Sequence, residues 1–112
     1  MRLDDLAGRI GARVYAPGSG ASVDLEQVYA GDRISDLLNA ANDHTLLVTN
    51  LASGHLTRVA ELMDIPGICL VQGQEPDPAM VATARAHGTL LMVSPVGLFN
   101  TCGRIHACLA KD

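Results

Sequence analysis

Aromatic side chains are scarce in this sequence: it has no tryptophan, one phenylalanine and two tyrosines, although 48% of its 112 residues are apolar. The hydrophobic core must therefore be built from aliphatic side chains and methionine. So few rings argue against an aromatic stacking platform for bases or sugars, because successive bases or sugars each need a ring to stack on.

Lysine is nearly absent, since Lys111 is the single example, and the formal net charge is −4 with a pI near 5.4. A protein that follows a nucleic-acid backbone needs clustered lysine and arginine, so this balance predicts no nucleic-acid partner. No apolar run approaches the ~20 residues of a membrane span, and residues 1–5 lack the basic and then apolar pattern of a signal peptide. We therefore expect a cytoplasmic protein that has no membrane partner.

Cysteine is also sparse, and the three thiols, Cys69, Cys102 and Cys108, fit no disulfide framework because their number is odd. Cys102 and Cys108 lie six residues apart on a predicted helix, so they point in different directions. The four histidines lie in four separate segments, and none has carboxylates at metal-ligand spacing. The sequence therefore predicts no metal site, and it identifies no cofactor.

Three continuous apolar runs, Thr45–Asn50, Ile68–Val71 and Thr89–Val93, are each followed by a predicted helix. Such runs are typical of parallel strands covered on both faces, and Val28–Ala30 is predicted to join them. We expect one domain over residues 1–112, an α/β three-layer sandwich with a mainly parallel sheet of about four strands and helices on both faces. A short strand around Val14 is expected to pair at an edge or to pack with a partner chain.

Helix ends are marked by local signals. Asp77 with Pro78 predicts a helix start, and Gly88 predicts the end of that helix. Asp32 is a candidate cap for the helix after Gly31, and Ser94 with Pro95 predicts the start of the last helix. Spacing assigns further apolar residues to the inner faces of the helices, among them Leu56, Val59, Leu62 and Met63 in one and Val96, Phe99, Ile105 and Leu109 in another.

Polar residues follow each of the four predicted parallel strands, at the edge where ligands bind in open α/β sheets. The candidate ligand-binding residues are Gly31, Asp32, Asn50, Ser53, His55, Gln72, Glu75 and Ser94. This set is neutral to acidic, so it favours a small molecule recognised mainly by hydrogen bonds over a bare phosphate, unless helix amino ends carry that charge.

The same residues could also serve catalysis, with Asp32 or Glu75 as a base and His55 as a second acid or base. Nothing in their spacing requires these groups to meet, and helix capping is an alternative role for Asp32 and Ser94. The sequence therefore predicts no enzyme and no catalytic residue, and a small enzyme of unknown reaction is the third hypothesis.

Three segments resemble the small DRTGG-domain proteins: Val28–Leu38, Ile68–Asp77 and Leu91–Phe99, in an order and spacing that cover nearly the whole chain. The name motif is Asp-Arg-Thr-Gly-Gly, of which this chain keeps Asp32 and Arg33 before it departs to Ile34-Ser35-Asp36. Any role that the family gives to these two glycines therefore does not carry over to this chain.

The resemblance implies a domain that occurs alone, often beside iron-only hydrogenase genes, or fused to CBS pairs or to phosphotransacetylase. It also implies a fold similar to the amino-terminal domain of HPr kinase/phosphorylase, where this domain is not the catalytic one. The sequence has no phosphate-binding kinase loop, so a kinase activity does not follow from that similarity.

Two main hypotheses follow. In the first, the chain is a non-catalytic regulatory module that senses a small ligand, plausibly a nucleotide, and reports its presence to a protein partner. In the second, it is a structural or docking protein without a ligand, whose apolar helices are covered in a homodimer. The two are compatible, because a ligand could bind between protomers.

Overall fold

The sheet contains five strands in the computed structural model, which describes residues 1–111 except for the side chains of residues 34 and 111. The strands are β1 (Arg13–Ala16), β2 (Gln27–Ala30), β3 (Thr45–Thr49), β4 (Gly67–Leu70) and β5 (Leu90–Val93). Their order is β1-β5-β4-β3-β2, and β2 to β5 are parallel to one another.

The first strand runs antiparallel to β5 at the edge of the sheet. The α/β class is confirmed, but the expectation of about four mainly parallel strands is wrong, because the sheet is mixed and has five. The edge position predicted for the segment around Val14 is confirmed. The strand is short, and its register against β5 shifts between Val14 and Ala16, as at a β-bulge.

Helices cover both faces of the sheet, as expected for three layers. They are α1 (Leu3–Arg9), α2 (Ile34–Ala40), α3 (Gly54–Leu62), α4 (Pro78–His87) and α5 (Leu98–Lys111), and a short 3₁₀ helix spans Ser19–Ser22. Side chains of α2, α3 and α4 share one core cluster with Leu47, whereas those of α1 and α5 share the other with Leu46 and Val48. Neighbouring residues of β3 therefore serve opposite cores, which explains its continuous apolar run.

The capping signals of α4 are confirmed. An Asp77 carboxylate oxygen accepts a hydrogen bond from the Met80 amide at 2.8 Å, Pro78 is the first helical residue, and Gly88 follows the helix with a φ of 86°. The expected cap at Asp32 is wrong, because α2 begins later and Arg33 takes the cap position without a side-chain hydrogen bond.

Three apolar side chains predicted on helices lie in solvent: Leu38 is 56% exposed, Leu62 is 79% exposed and Phe99 is 88% exposed. The inward placements expected for Leu62 and Phe99 are therefore wrong. Helix α5 begins at Leu98 rather than at Val96, and its buried positions, Thr101 and Ile105, turn Phe99 outward. Over residues 1–111, no helix combines the length and apolarity that crossing a bilayer requires.

Candidate functional site

The four turns that follow the parallel strands meet at one rim of the sheet, as predicted. The Gly31 amide donates a hydrogen bond to the Val48 carbonyl at 2.9 Å, which ties the end of β2 to β3. Gln74 Nε2 donates to the Asn50 carbonyl at 3.2 Å, which ties the turn after β4 to the turn after β3. These bonds make the rim one continuous surface.

The turn after β4 lies at the centre of this rim and has an unusual backbone. Gln72 has a φ of 62° and Gly73 a φ of 63°, and the Gln74 amide donates to the Val71 carbonyl at 3.4 Å. Two successive residues with positive φ are typical of a type I′ turn, in which glutamine is an uncommon choice.

Hydrogen bonds to the β5 side hold this turn in place. The Gln72 amide donates to the Val96 carbonyl at 2.7 Å, and the Gly73 amide donates to the Ser94 carbonyl at 2.8 Å. The turn after β4 and the turn after β5 are therefore fixed to each other, and the side chain of Gln72 is exposed above them.

Most of the predicted site residues are accessible at the rim. Asp32, Asn50, His55, Gln72 and Glu75 are exposed, and Gly31 and Ser53 are half-buried. The carboxylates of Asp32 and Glu75 form no hydrogen bond or ion pair with any residue that the structure describes. They are therefore available to accept hydrogen bonds from a ligand.

Ser94 differs from the rest, because it is fully buried. The Thr101 hydroxyl donates to Ser94 Oγ at 2.7 Å, and the Val96 amide donates to the same oxygen at 3.4 Å. Ser94 thus joins the end of β5 to the first turns of α5, and its hydroxyl faces the interior rather than the rim.

Ser53 begins α3, and its hydroxyl accepts a hydrogen bond from the His55 amide at 3.2 Å. Ser53 therefore serves as the cap of α3. The contact uses only the backbone of His55, whose side chain is exposed. Within the described part of the chain, the ring of His55 forms no hydrogen bond or ion pair with Asp32 or Glu75. The rim therefore holds polar groups that can bind a ligand, without a preformed acid–base pair.

The side chains of the types that commonly bind metals are dispersed over the described part of the chain. Among residues 1–111, no group of three or more histidine, cysteine, aspartate or glutamate side chains converges on a position for an ion. All three cysteines are free, and burial raises the pKa of the Cys69 thiol to about 12 and also raises the pKa of Cys102. These two thiols are therefore poor nucleophiles.

The antiparallel strand brings arginine to the rim, which sequence reasoning missed. Arg13 pairs with Val93, so the start of β1 lies beside the end of β5. The Arg13 guanidinium lies 4.8 Å from the centre of the Tyr15 ring, and Arg85 of α4 donates to the Tyr15 carbonyl at 3.2 Å. The prediction that the segment around Val14 forms an edge strand was the one sequence signal that could have pointed to Arg13 and, through this strand, to Arg85.

A cleft lies at the opposite rim of the sheet, beside the residues that precede β3, β4 and β5. It has a volume of about 380 Å³, and its lining includes His44 and His87. The imidazole of His44 lies 3.1 Å from a Glu26 carboxylate oxygen. A hydrogen bond to the Asp24 carbonyl raises the pKa of His44, and the carboxylates of Glu26 and Asp43 add to this effect.

Comparison with known proteins gives a structural match without a sequence match. No family model and no curated protein matches the sequence. Among solved structures, the chain is similar to the CBS and DRTGG domains of the regulatory region of Clostridium perfringens pyrophosphatase, complexed with its activator, diadenosine tetraphosphate. The TM-score is 0.79 at 11% identity.

The fold is DRTGG-like. The match covers 93% of this chain and 45% of the other, so this chain spans less than half the length of that regulatory region. The similarity in structure agrees with the resemblance carried by residues 28–38, 68–77 and 91–99.

Proposed function

We propose that this DRTGG-like chain is a non-catalytic regulatory module that senses a small ligand at the rim, with a nucleotide as the first candidate. One observation carries the proposal: four fixed turns present accessible polar groups, including the unpaired carboxylates of Asp32 and Glu75, on one continuous surface. Unpaired polar groups on a rigid frame are what ligand recognition requires.

The comparison supports the same class of function. The similar regulatory region is complexed with a nucleotide activator, and it belongs to an enzyme whose activity it regulates. The rim also shows no hydrogen bond between the His55 ring and either carboxylate among the described residues, so it holds no preformed acid–base pair. The resemblance further suggests an iron-only hydrogenase system as the setting of this regulation.

A thermal-shift screen tests the proposal. The panel contains nucleotides, dinucleotides including diadenosine tetraphosphate, acyl-CoA species and central metabolites. A ligand at one hundred times its Kd stabilises the folded state by about 2.7 kcal/mol, which raises the unfolding temperature of a domain this size by roughly ten degrees. Asp32→Ala and Asn50→Ala should reduce the shift caused by a ligand that is held by the turns after β2 and β3. A ligand whose affinity both variants leave unchanged would place the site elsewhere.

A homodimer is the second candidate, alone or together with sensing, and the exposed apolar side chains favour it. Leu38 and Leu62 belong to α2 and α3 in the same helical layer, and both lie largely in solvent. Burial of such side chains between copies would remove apolar surface from water.

Sedimentation across a dilution series into the low micromolar range tests this candidate. A dimer that Leu62→Ser weakens, while the outward-facing control Phe99→Ser on the other layer does not, supports association through α2 and α3. A monomer at every concentration would remove the dimer from the proposal and leave the sensing role untouched.

A further inference from the structure

Tyr15 lies between two clefts at the sheet edge. The larger cleft has a volume of about 690 Å³, within the range of small-molecule sites. The smaller, of about 200 Å³, is lined by Arg13 and Gly73 as well as Tyr15. An ideal Cβ at Gly73 would meet nothing within 4 Å, so the space above this turn is open.

Two cations flank Tyr15 from different elements. Arg13 of β1 stacks over the ring, and Arg85 of α4 bonds to the carbonyl of the same residue. Neither guanidinium has a carboxylate partner among the residues that the structure describes. In a protein of net charge −4, these arginines place one positive charge in each cleft beside Tyr15, Arg13 in the smaller and Arg85 in the larger, and guanidinium groups are suited to binding phosphate oxygens.

The walls of the larger cleft suit a planar apolar group. Its apolar members are Tyr15, Pro76, Pro78, Val81 and Ala82. Of its two carboxylates, Asp77 is occupied as the cap of α4, whereas Glu75 forms no hydrogen bond or ion pair with the described residues. Its oxygens can therefore accept hydrogen bonds from hydroxyl groups, such as those of a ribose.

We propose that this edge site binds a nucleoside phosphate. Arg13 and Arg85 bind the phosphate oxygens, Glu75 accepts hydrogen bonds from the ribose hydroxyls, and the apolar wall contacts the base. The proposal goes beyond the proposed function: this site shares Glu75 with the rim, but it lies beside β1, at the other end of the strand order from the turn after β2. Asp32→Ala should therefore leave ATP binding at the edge site unchanged. The phosphate position in this proposal lies beside the antiparallel edge strand, and not at the turns that follow the parallel strands.

Calorimetric titration with ATP tests the site, with adenosine and inorganic tripolyphosphate as the two halves of the ligand. We expect ATP to bind more tightly than either half. Arg13→Gln and Arg85→Gln should each weaken ATP binding about tenfold or more, since a charge-assisted hydrogen bond is lost in each. Arg85→Lys, which keeps the charge, should recover part of the affinity. Added salt should weaken binding in the native chain.

Arg58→Gln is the matched control, because Arg58 is an exposed arginine of α3 outside both clefts. It removes the same charge and should leave the Kd unchanged. Equal loss in all three glutamine variants, equal binding of tripolyphosphate and ATP, or no binding of ATP would each overturn the edge site. The sensing role itself fails separately, when no member of the metabolite panel shifts the unfolding temperature.

Discussion

Replacing Gln72 with glycine should stabilise the protein. Gln72 has a φ of 62°, in the left-handed region that disfavours a side chain by about 1–2 kcal/mol. Glycine removes this penalty but loses more conformational entropy on folding, about 0.5–1 kcal/mol. The free energy of unfolding should therefore rise by about 0.5–1 kcal/mol, because the Gln72 amide keeps its hydrogen bond to Val96 in both proteins.

The assay is thermal unfolding followed by circular dichroism. For a domain of this size, the expected gain raises the unfolding temperature by about 2–5 °C. Gln72→Ala is the control, because alanine removes the same side chain but keeps the backbone penalty. We expect the glycine variant to be the more stable of the two.

The comparison with alanine separates backbone from side chain. If glycine and alanine at position 72 unfold at the same temperature, the backbone penalty does not exceed the entropy cost of glycine, and the predicted stabilisation is refuted. If glycine is more stable but binds the ligand less well than the native chain, the strained turn is kept because the exposed glutamine side chain contacts the ligand.

Three further predictions concern other parts of the fold. Gly20→Ala should destabilise the protein by about 3 kcal/mol in urea unfolding, because its Cβ would press against the carbonyl of Pro66, and Gly8→Ala, with open space around it, should not. Ser94→Ala should cost about 1 kcal/mol of stability and leave ligand affinity unchanged, since its hydroxyl faces the interior. Because the pKa of His44 is raised in the folded protein, protonated His44 should stabilise the fold at pH values below 6.5, the ordinary pKa of histidine. This contribution should be lost as the pH rises through the folded-state pKa. His44→Gln should flatten the dependence of unfolding temperature on pH between about 6 and about 8, and an unchanged slope would contradict the assignment.

The central part of the fold could be predicted from the sequence because each signal was local. A short continuous apolar run such as Thr45–Thr49 is typical of a strand covered on both faces, and the Asp77-Pro78 pair marks a helix start by its own hydrogen bonding. Parallel strands then place their following turns at one rim, which is why most of the candidate residues lie together.

The errors in α5 have a common cause, because they depend on contacts that the local capping pattern does not include. Ser94 and Pro95 have the local pattern of a helix start, yet Ser94 hydrogen-bonds to Thr101 and α5 begins at Leu98. That shift changes which face of α5 meets the sheet, so Phe99, the single phenylalanine, lies in solvent. A spacing pattern alone does not fix the rotation of a helix about its axis.

The charge of the rim shows how one strand can change a functional prediction. Residues that follow the parallel strands are neutral to acidic, and a ligand predicted from them alone would avoid phosphate. An antiparallel strand reaches the same rim with its beginning rather than its end, so Arg13 enters from a segment that precedes every parallel strand. Helix α4 packs against that strand and adds Arg85. The proposed ligand class thus depends on the direction of β1, a property of the sheet that no local motif in the sequence encodes.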